Sequence, residues 1–163
     1  KISLSKMLES MISCINEGLS IKVNIICGFP NERKKHLFET LKFIIKIAWV
    51  GCEDMSINQF SPYPGTELFN DLIKSGKIKI DENYFIALSY YSSMTNALSF
   101  SEHLTSKEIL IYKLVGTTVF YCVSFARRPW RLLQTLSNVY KEIETTRLEK
   151  TLISYLGRIR EAK

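Results

Sequence analysis

The apolar run from Val23 to Cys27 hands over directly to Gly28-Phe29-Pro30-Asn31-Glu32 and then to an amphipathic helical pattern. This junction restricts the chain more than any other feature. A short β-branched run that ends in Gly and Pro and turns at once into a helix is the opening half of a β-α-β unit. The closing half follows one crossover later: a second strand is predicted at about Met55 to Phe60, and it ends in Phe60-Ser61-Pro62-Tyr63-Pro64-Gly65-Thr66. Two successive strand ends thus carry the Gly/Pro chemistry that site-bearing loops use in α/β proteins.

Periodicity supplies the remaining elements. Leu4, Met7, Leu8, Met11, Ile12, Ile15 and Leu19 put one apolar stripe on a first helix ending near Gly18. Ile21 to Cys27 reads as a strand covered on both faces. From Glu32, a helix carries Leu37, Phe38, Leu41, Ile44, Ile45 and Ala48 on one face, and Gly51 ends it. A short helix runs from Glu67 to about Ser75 with Thr66 as its N-cap. Beyond Gly76 the alternation fades. Lys77 to Ile80 has the period of an edge strand, Asp81 is placed to cap a turn through Phe85, and Ser89 to Ser101 reads as loop. Thr105-Ser106-Lys107-Glu108 is a capping box opening a helix to about Arg128. Pro129 interrupts it, and one further helical pattern continues to the terminus.

The chain has 163 residues, begins with Lys, and reaches its first strand only near Ile21, so it reads as cut from a larger repeating α/β unit. The net charge of +6 is spread over helix faces among Glu residues, which predicts a solvated surface and no nucleic-acid partner. Arg127-Arg128-Pro129-Trp130-Arg131 is denser and could meet phosphate, a lipid headgroup or another domain. The run Ile109 to Ala126 has the length of a membrane span. Lys113 within it favours a helix buried in protein or lying at a membrane surface. Cys14, Cys27, Cys52 and Cys122 fit no metal spacing and are expected to be buried, inert thiols. His36 and His103 lack partners at catalytic spacing, so no catalytic or metal-ligating residue is expected within the chain.

At the strand ends, Gly28 would let the backbone come close to a flat ligand, with Ile26 offering an apolar face. Asn31 tolerates a left-handed turn. Glu32, expected in the first helical turn, has two roles open to it: holding loop amides or stabilising its own helix. In the second loop Pro62 and Pro64 stiffen the exit, Gly65-Thr66 starts the next helix, and Tyr63 adds an aromatic face with a hydroxyl.

Ile25-Ile26-Cys27-Gly28-Phe29-Pro30-Asn31-Glu32 and Phe60-Ser61-Pro62-Tyr63-Pro64-Gly65-Thr66 resemble the G-F-P-G-E-T and F-x-P-Y-P-G-T phrases of the radical S-adenosylmethionine (radical SAM) enzymes. They are most similar to the cobalamin-binding branch that includes relatives of anaerobic magnesium-protoporphyrin IX monomethyl ester cyclase. The likeness is close from Leu4 to Gly76 and looser beyond, where Phe120-Tyr121 and Arg128-Pro129 resemble the branch's C-terminal region. It implies an α/β fold. Residues 1–76 would be the C-terminal part of a TIM-like barrel, and 77–163 a mainly helical extension.

The resemblance further implies that Ile26, Gly28, Phe29, Glu32, Phe60 and Ser61 bind S-adenosylmethionine, and that Pro62, Tyr63, Gly65 and Thr66 form the substrate-side loop. Asn31 and Arg33 depart from the family's usual Gly and Thr. The 4Fe-4S ligands and the cobalamin domain would lie upstream, in a missing N-terminal part of the polypeptide, so this piece would be inactive alone. The parent enzyme would perform radical or cobalamin-assisted methyl-transfer chemistry on an apolar or lipid-like substrate, in the cytoplasm or peripherally at the inner membrane face. The alternative is a non-catalytic membrane- or partner-binding module built on the 105–131 helix and its basic end. A β-α-β pair alone also leaves two unsatisfied sheet edges.

Overall fold

A computed structural model describes residues 3–161. The elements run α1 (Leu4–Asn16), β1 (Lys22–Cys27), α2 (Lys34–Val50), β2 (Asp54–Gln59), α3 (Glu67–Lys74), α4 (Glu82–Ser89), a 3₁₀ turn (Tyr90–Ser92), α5 (Ser106–Arg127), α6 (Pro129–Tyr140) and α7 (Arg147–Glu161). β1 and β2 form a two-stranded sheet. Its ends are fixed by Glu53 N–H donating to the Ile21 carbonyl (2.9 Å) and Phe60 N–H to that of Cys27 (2.7 Å). Both partners advance together along the chain, so the strands are parallel, with α2 as the crossover.

The chain forms two compact units. One comprises Lys1–Val23, Phe43–Ser56 and Thr118–Lys163, the other Asn24–Lys42 and Ile57–Thr117. Each therefore draws residues from both sides of Gly76.

The second unit contains the C-terminal ends of both strands. Its core gathers Phe60, Phe69, Leu72, Ile78, Tyr84 and Phe100. Phe60 sits among aromatic neighbours, 5.0 Å from Phe29 and 6.4 Å from Phe100 between ring centroids. The Tyr84 hydroxyl donates to the Pro62 carbonyl at 2.6 Å, which ties α4 to the second loop. The local caps form as their sequences demand: Phe69 N–H donates to Thr66 Oγ1, Tyr84 N–H to Asp81 Oδ1, and Thr105 and Glu108 close a reciprocal box at the start of α5.

The first unit is organised by two guanidiniums. A helix leaves its last four carbonyls without helical partners. Here Arg128 donates to the carbonyls of Ala48, Trp49 and Val50, and Arg131 to those of Gly51 and Cys52. The basic cluster thus caps α2; Arg128 and Arg131 are not held out toward phosphate. A second knot joins β2 to α5 and α7. Buried Asp54 accepts from the Tyr121 hydroxyl at 2.7 Å, pairs with Lys22 at 2.9 Å and receives Arg147 N–H at the start of α7.

Several expectations are corrected. Lys77–Ile80 is not a strand: Ile78 enters the core and Ile80 is exposed, because no further strand among the described residues offers it a ladder. The last helical pattern is two helices, broken where Glu142 takes φ 57°. β1 alternates exposed and buried positions, since one of its faces is uncovered. The apolar stripe of α1 contains no buried residue, and Phe38 and Ile45 of α2 are exposed. Cys27 and Cys52 are buried thiols, but Cys122 is exposed and Cys14 only half-buried. α5 is the one helix among the described residues long and apolar enough to cross a membrane, yet it carries fully buried Ile109, Lys113 and Phe120 toward protein.

Candidate functional site

The strand-end loop is organised by one carboxylate. Glu32 lies in the turn before α2, not in the helix. Its Oε2 accepts from both Gly28 N–H and Phe29 N–H, the latter at 3.2 Å. The loop is secured from the other side by Glu102 N–H donating to the Pro30 carbonyl (2.9 Å) and Ser101 Oγ to that of Glu32 (3.1 Å). Of the two roles left open for Glu32, the amide-holding one is the geometry seen.

Gly28 has φ 86°, a conformation that side chains rarely tolerate. Asn31 does not share it, so the left-handed residue of this turn is the glycine alone. A Cβ built on Gly28 would lie 2.8 Å from Ile109 Cδ1. The space that glycine frees is therefore filled by α5, and a ligand would meet this loop from another side. Cys27, completely buried below it, has its thiol pushed up to about 12 by burial and then by the Glu32 charge, which rules it out as a thiolate nucleophile at neutral pH.

What the rim offers is apolar surface and unpaired polar atoms. Ile26 is 52% exposed and Phe29 is 39% exposed. The bond from Phe60 N–H to the Cys27 carbonyl puts Asn58 beside Ile26, on the same face of the sheet. Asn58 Oδ1 and Ser61 Oγ are buried and have no hydrogen-bond partner, as is Gln59 Nε2, whose own Oε1 accepts from Leu98 N–H at 3.1 Å. Native structures leave few such atoms, so a cluster of them invites a ligand. Asn58 and Gln59 carried no motif signal; only their place at the end of a strand could have drawn attention to them.

The other sequence-derived residues fall as follows. Ile26, Gly28, Phe29, Glu32, Phe60 and Ser61 are brought together at the two strand ends. Pro62 is buried beneath Tyr84, Tyr63 is half exposed, and Gly65 (φ 87°) and Thr66 shape the entry to α3. His36 accepts from Arg33 N–H at the start of α2 and His103 stays in its loop. No group of His, Cys, Asp and Glu among the described residues could hold a metal ion. An apolar groove of about 300 Å³ lies elsewhere in this unit, between Leu37, Phe38 and Leu41 of α2 and Ile111 and Val115 of α5.

Over 49 residues the chain is 43% identical to the threonylcarbamoyladenosine tRNA methylthiotransferase of Xenopus laevis. That protein is a radical SAM enzyme. The stretch is 30% of this chain and 8% of that protein, so the chain spans only a small part of the relative it matches. The similarity supports a radical SAM relationship in the broad sense and says nothing of cobalamin. No family model matches the chain, and neither does any solved structure.

Proposed function

We propose that the ends of β1 and β2 form the adenine-side rim of an S-adenosylmethionine site in a radical SAM enzyme of which this chain is the C-terminal part. The observation that carries the reading is the Glu32 carboxylate held across the Gly28 and Phe29 amides. That clamp fixes a loop whose outer face is Ile26 and Phe29, next to the unpaired Asn58 Oδ1 and Ser61 Oγ. A flat, hydrogen-bonding ring suits this set: Ile26 supplies a stacking surface, and the two oxygens stand ready to accept or exchange hydrogen bonds that the protein leaves unmade.

Bound to a reduced 4Fe-4S cluster held elsewhere, S-adenosylmethionine would supply radical chemistry. The residues of this chain would bind and orient it. The finer assignment, to the cobalamin-binding branch and to methyl transfer or cyclisation on an apolar substrate, rests on the two strand-end phrases and their spacing.

The test is anaerobic production of the natural full-length protein. The reading expects the charge-transfer band of a 4Fe-4S cluster and release of 5′-deoxyadenosine from S-adenosylmethionine. Glu32→Gln should lower retention of labelled S-adenosylmethionine in equilibrium dialysis while the cluster band persists. A full-length protein without the band, or a Glu32→Gln variant that retains the ligand like wild type, overturns the assignment of this rim.

A further inference from the structure

The exposed apolar residues of the first unit are of an unusual kind. The chain has two tryptophans, and both lie outside: Trp49 at the end of α2 is 59% exposed and Trp130 at the start of α6 is 60% exposed. Trp is normally among the more buried side chains. On α6, Leu133, Leu136 and Tyr140 are exposed by 69, 57 and 89%, and they recur with Trp130 at helical spacing. The opposite side of the helix is anchored, with Thr135 buried and Arg131 bound to the Gly51 and Cys52 carbonyls that follow α2. α6 is therefore held to its unit by its polar face and presents its apolar face to solvent.

Cations flank this stripe, and the carboxylates that follow it are paired, Glu142 with Arg160 and Glu144 with Lys150. The 33 residues from Ile109 to Lys141 contain no Asp or Glu, and Arg127 and Lys141 flank α6. The Arg127 guanidinium stacks over the Trp49 ring at 5.3 Å, joining a cation to an exposed indole. Aromatic residues at both ends of a helix, leucines between them and cations at its margins make up the pattern of a helix lying in a bilayer interface.

We infer that the first unit docks on anionic membrane surfaces through Trp49, Trp130, Leu133, Leu136 and Tyr140. The apolar side chains enter the headgroup boundary, while Arg127 and Lys141 reach lipid phosphates. This moves membrane contact away from the 105–131 helix: α5 carries buried residues toward protein, Arg128 is occupied by carbonyls of the last turn of α2, and Arg131 by those of Gly51 and Cys52 just after it. The inference does not depend on the S-adenosylmethionine reading.

The two tryptophans make the test direct. The natural full-length protein, and beside it the 163-residue chain, is mixed with unilamellar vesicles of phosphatidylcholine, with or without one quarter phosphatidylglycerol, and followed by flotation and, for the shorter chain, by tryptophan emission. The inference expects flotation with the anionic vesicles, a blue shift of emission, and quenching by brominated acyl chains. Partition into them should fall roughly tenfold in a Leu133→Glu/Leu136→Glu variant of unchanged circular dichroism, and raised salt should weaken it. Absence of flotation and blue shift at low salt overturns it. So does self-association of wild type, lost in the variant, without vesicle binding; the face would then belong to a second copy. Brominated-lipid quenching in wild type keeps the question decidable if the variant fails to fold.

Discussion

In the second unit, Asn58 Oδ1, Gln59 Nε2 and Ser61 Oγ are buried without partners at the end of one strand, although the apolar core around them is closed. In the first unit the situation is reversed. None of its described side chains carries a buried polar atom without a partner: Asp54, Glu149, Arg128 and Arg131 each have several. What lies open there is a helix face of Leu and Trp with no buried unpaired polar atom beside it, on α6, together with the stripe of α1. Unmade hydrogen bonds mark a place where a polar ligand would gain, because a buried unpaired group costs about 1–3 kcal/mol that a partner restores. Uncovered Leu and Trp mark a place that gains by leaving water. Among the described residues the unmade hydrogen bonds of buried side chains are confined to the second unit, whereas uncovered apolar side chains occur in both, on α1 and α6 in the first and at Ile26, Phe38 and Phe85 in the second.

The largest expected effect tests how tightly the second unit is closed. Gly28→Val combines a left-handed backbone position with a Cβ placed 2.8 Å from Ile109 Cδ1. Strain and overpacking together should cost about 3 kcal/mol, read as a lower urea midpoint. Ile109→Ala opens a cavity and should destabilise wild type, but less so in the Gly28→Val background, where the truncation relieves the overpacking. Additive losses in the double variant would mean that backbone strain alone decides the site, and no loss in Gly28→Val would mean that neither strain nor α5 restricts this position.

The counterpart in the first unit is Arg131→Ala, which leaves the carbonyls of Gly51 and Cys52 and the hydroxyl of Ser124 without their donor. The expected cost is about 2 kcal/mol. Substitution by Lys should restore little of it, because an ammonium cannot reproduce the planar fork of bonds. If Arg131→Ala is neutral, the first unit is held by its apolar contacts and its polar completeness is incidental.

The pH dependence separates the two buried thiols. Burial raises both Cys27 and Cys52, the first to about 12 and reinforced by Glu32, the second opposed by Arg131 and Arg128. A raised folded-state pKa means that the unfolded chain loses its proton first. The neutral-thiol contribution is whole below pH 9 and is lost as pH climbs from 9 toward the folded value. Stability should therefore decline above about pH 9 by up to ~1.4 kcal/mol per pH unit for each such group. Cys27→Ala should flatten that decline more than Cys52→Ala, and an equal effect would place the two thiols in equivalent surroundings.

Much of the fold was legible because local chemistry decided it. Thr66, Asp81 and the Thr105/Glu108 box cap the helices as their sequences require, and Pro129 opens α6 at its first position. The strand ends were legible because Gly and Pro punctuate them. What could not be read was tertiary. Lys77–Ile80 has the period of a strand but no ladder to join, and the Arg127–Arg131 cluster resembles an anion site until the bare carbonyls of α2 are seen beside it. The turn at Glu142 carries no glycine to announce it. At the site, the clamp by Glu32 followed from its place next to glycine, whereas Asn58 acquires meaning only through its register with Ile26.

The smallest effect is the most discriminating because its sign is at stake. A hydroxyl kept for stability should cost about 1 kcal/mol when truncated, and Thr145, whose Oγ1 donates to Glu149 at 2.6 Å in the first unit, is of that kind. Ser61 has no such partner for its Oγ. Ser61→Ala removes a buried oxygen that the fold must keep dehydrated, so stability should stay level or rise by up to ~1 kcal/mol while ligand retention by the full-length protein falls. Opposite signs for Thr145→Ala and Ser61→Ala in the same denaturation assay would place the polar group of the first unit in the service of the fold and that of the second in the service of a ligand. Equal losses would show that Ser61 has a partner of its own within the protein, and the contrast between the units would then no longer rest on Ser61.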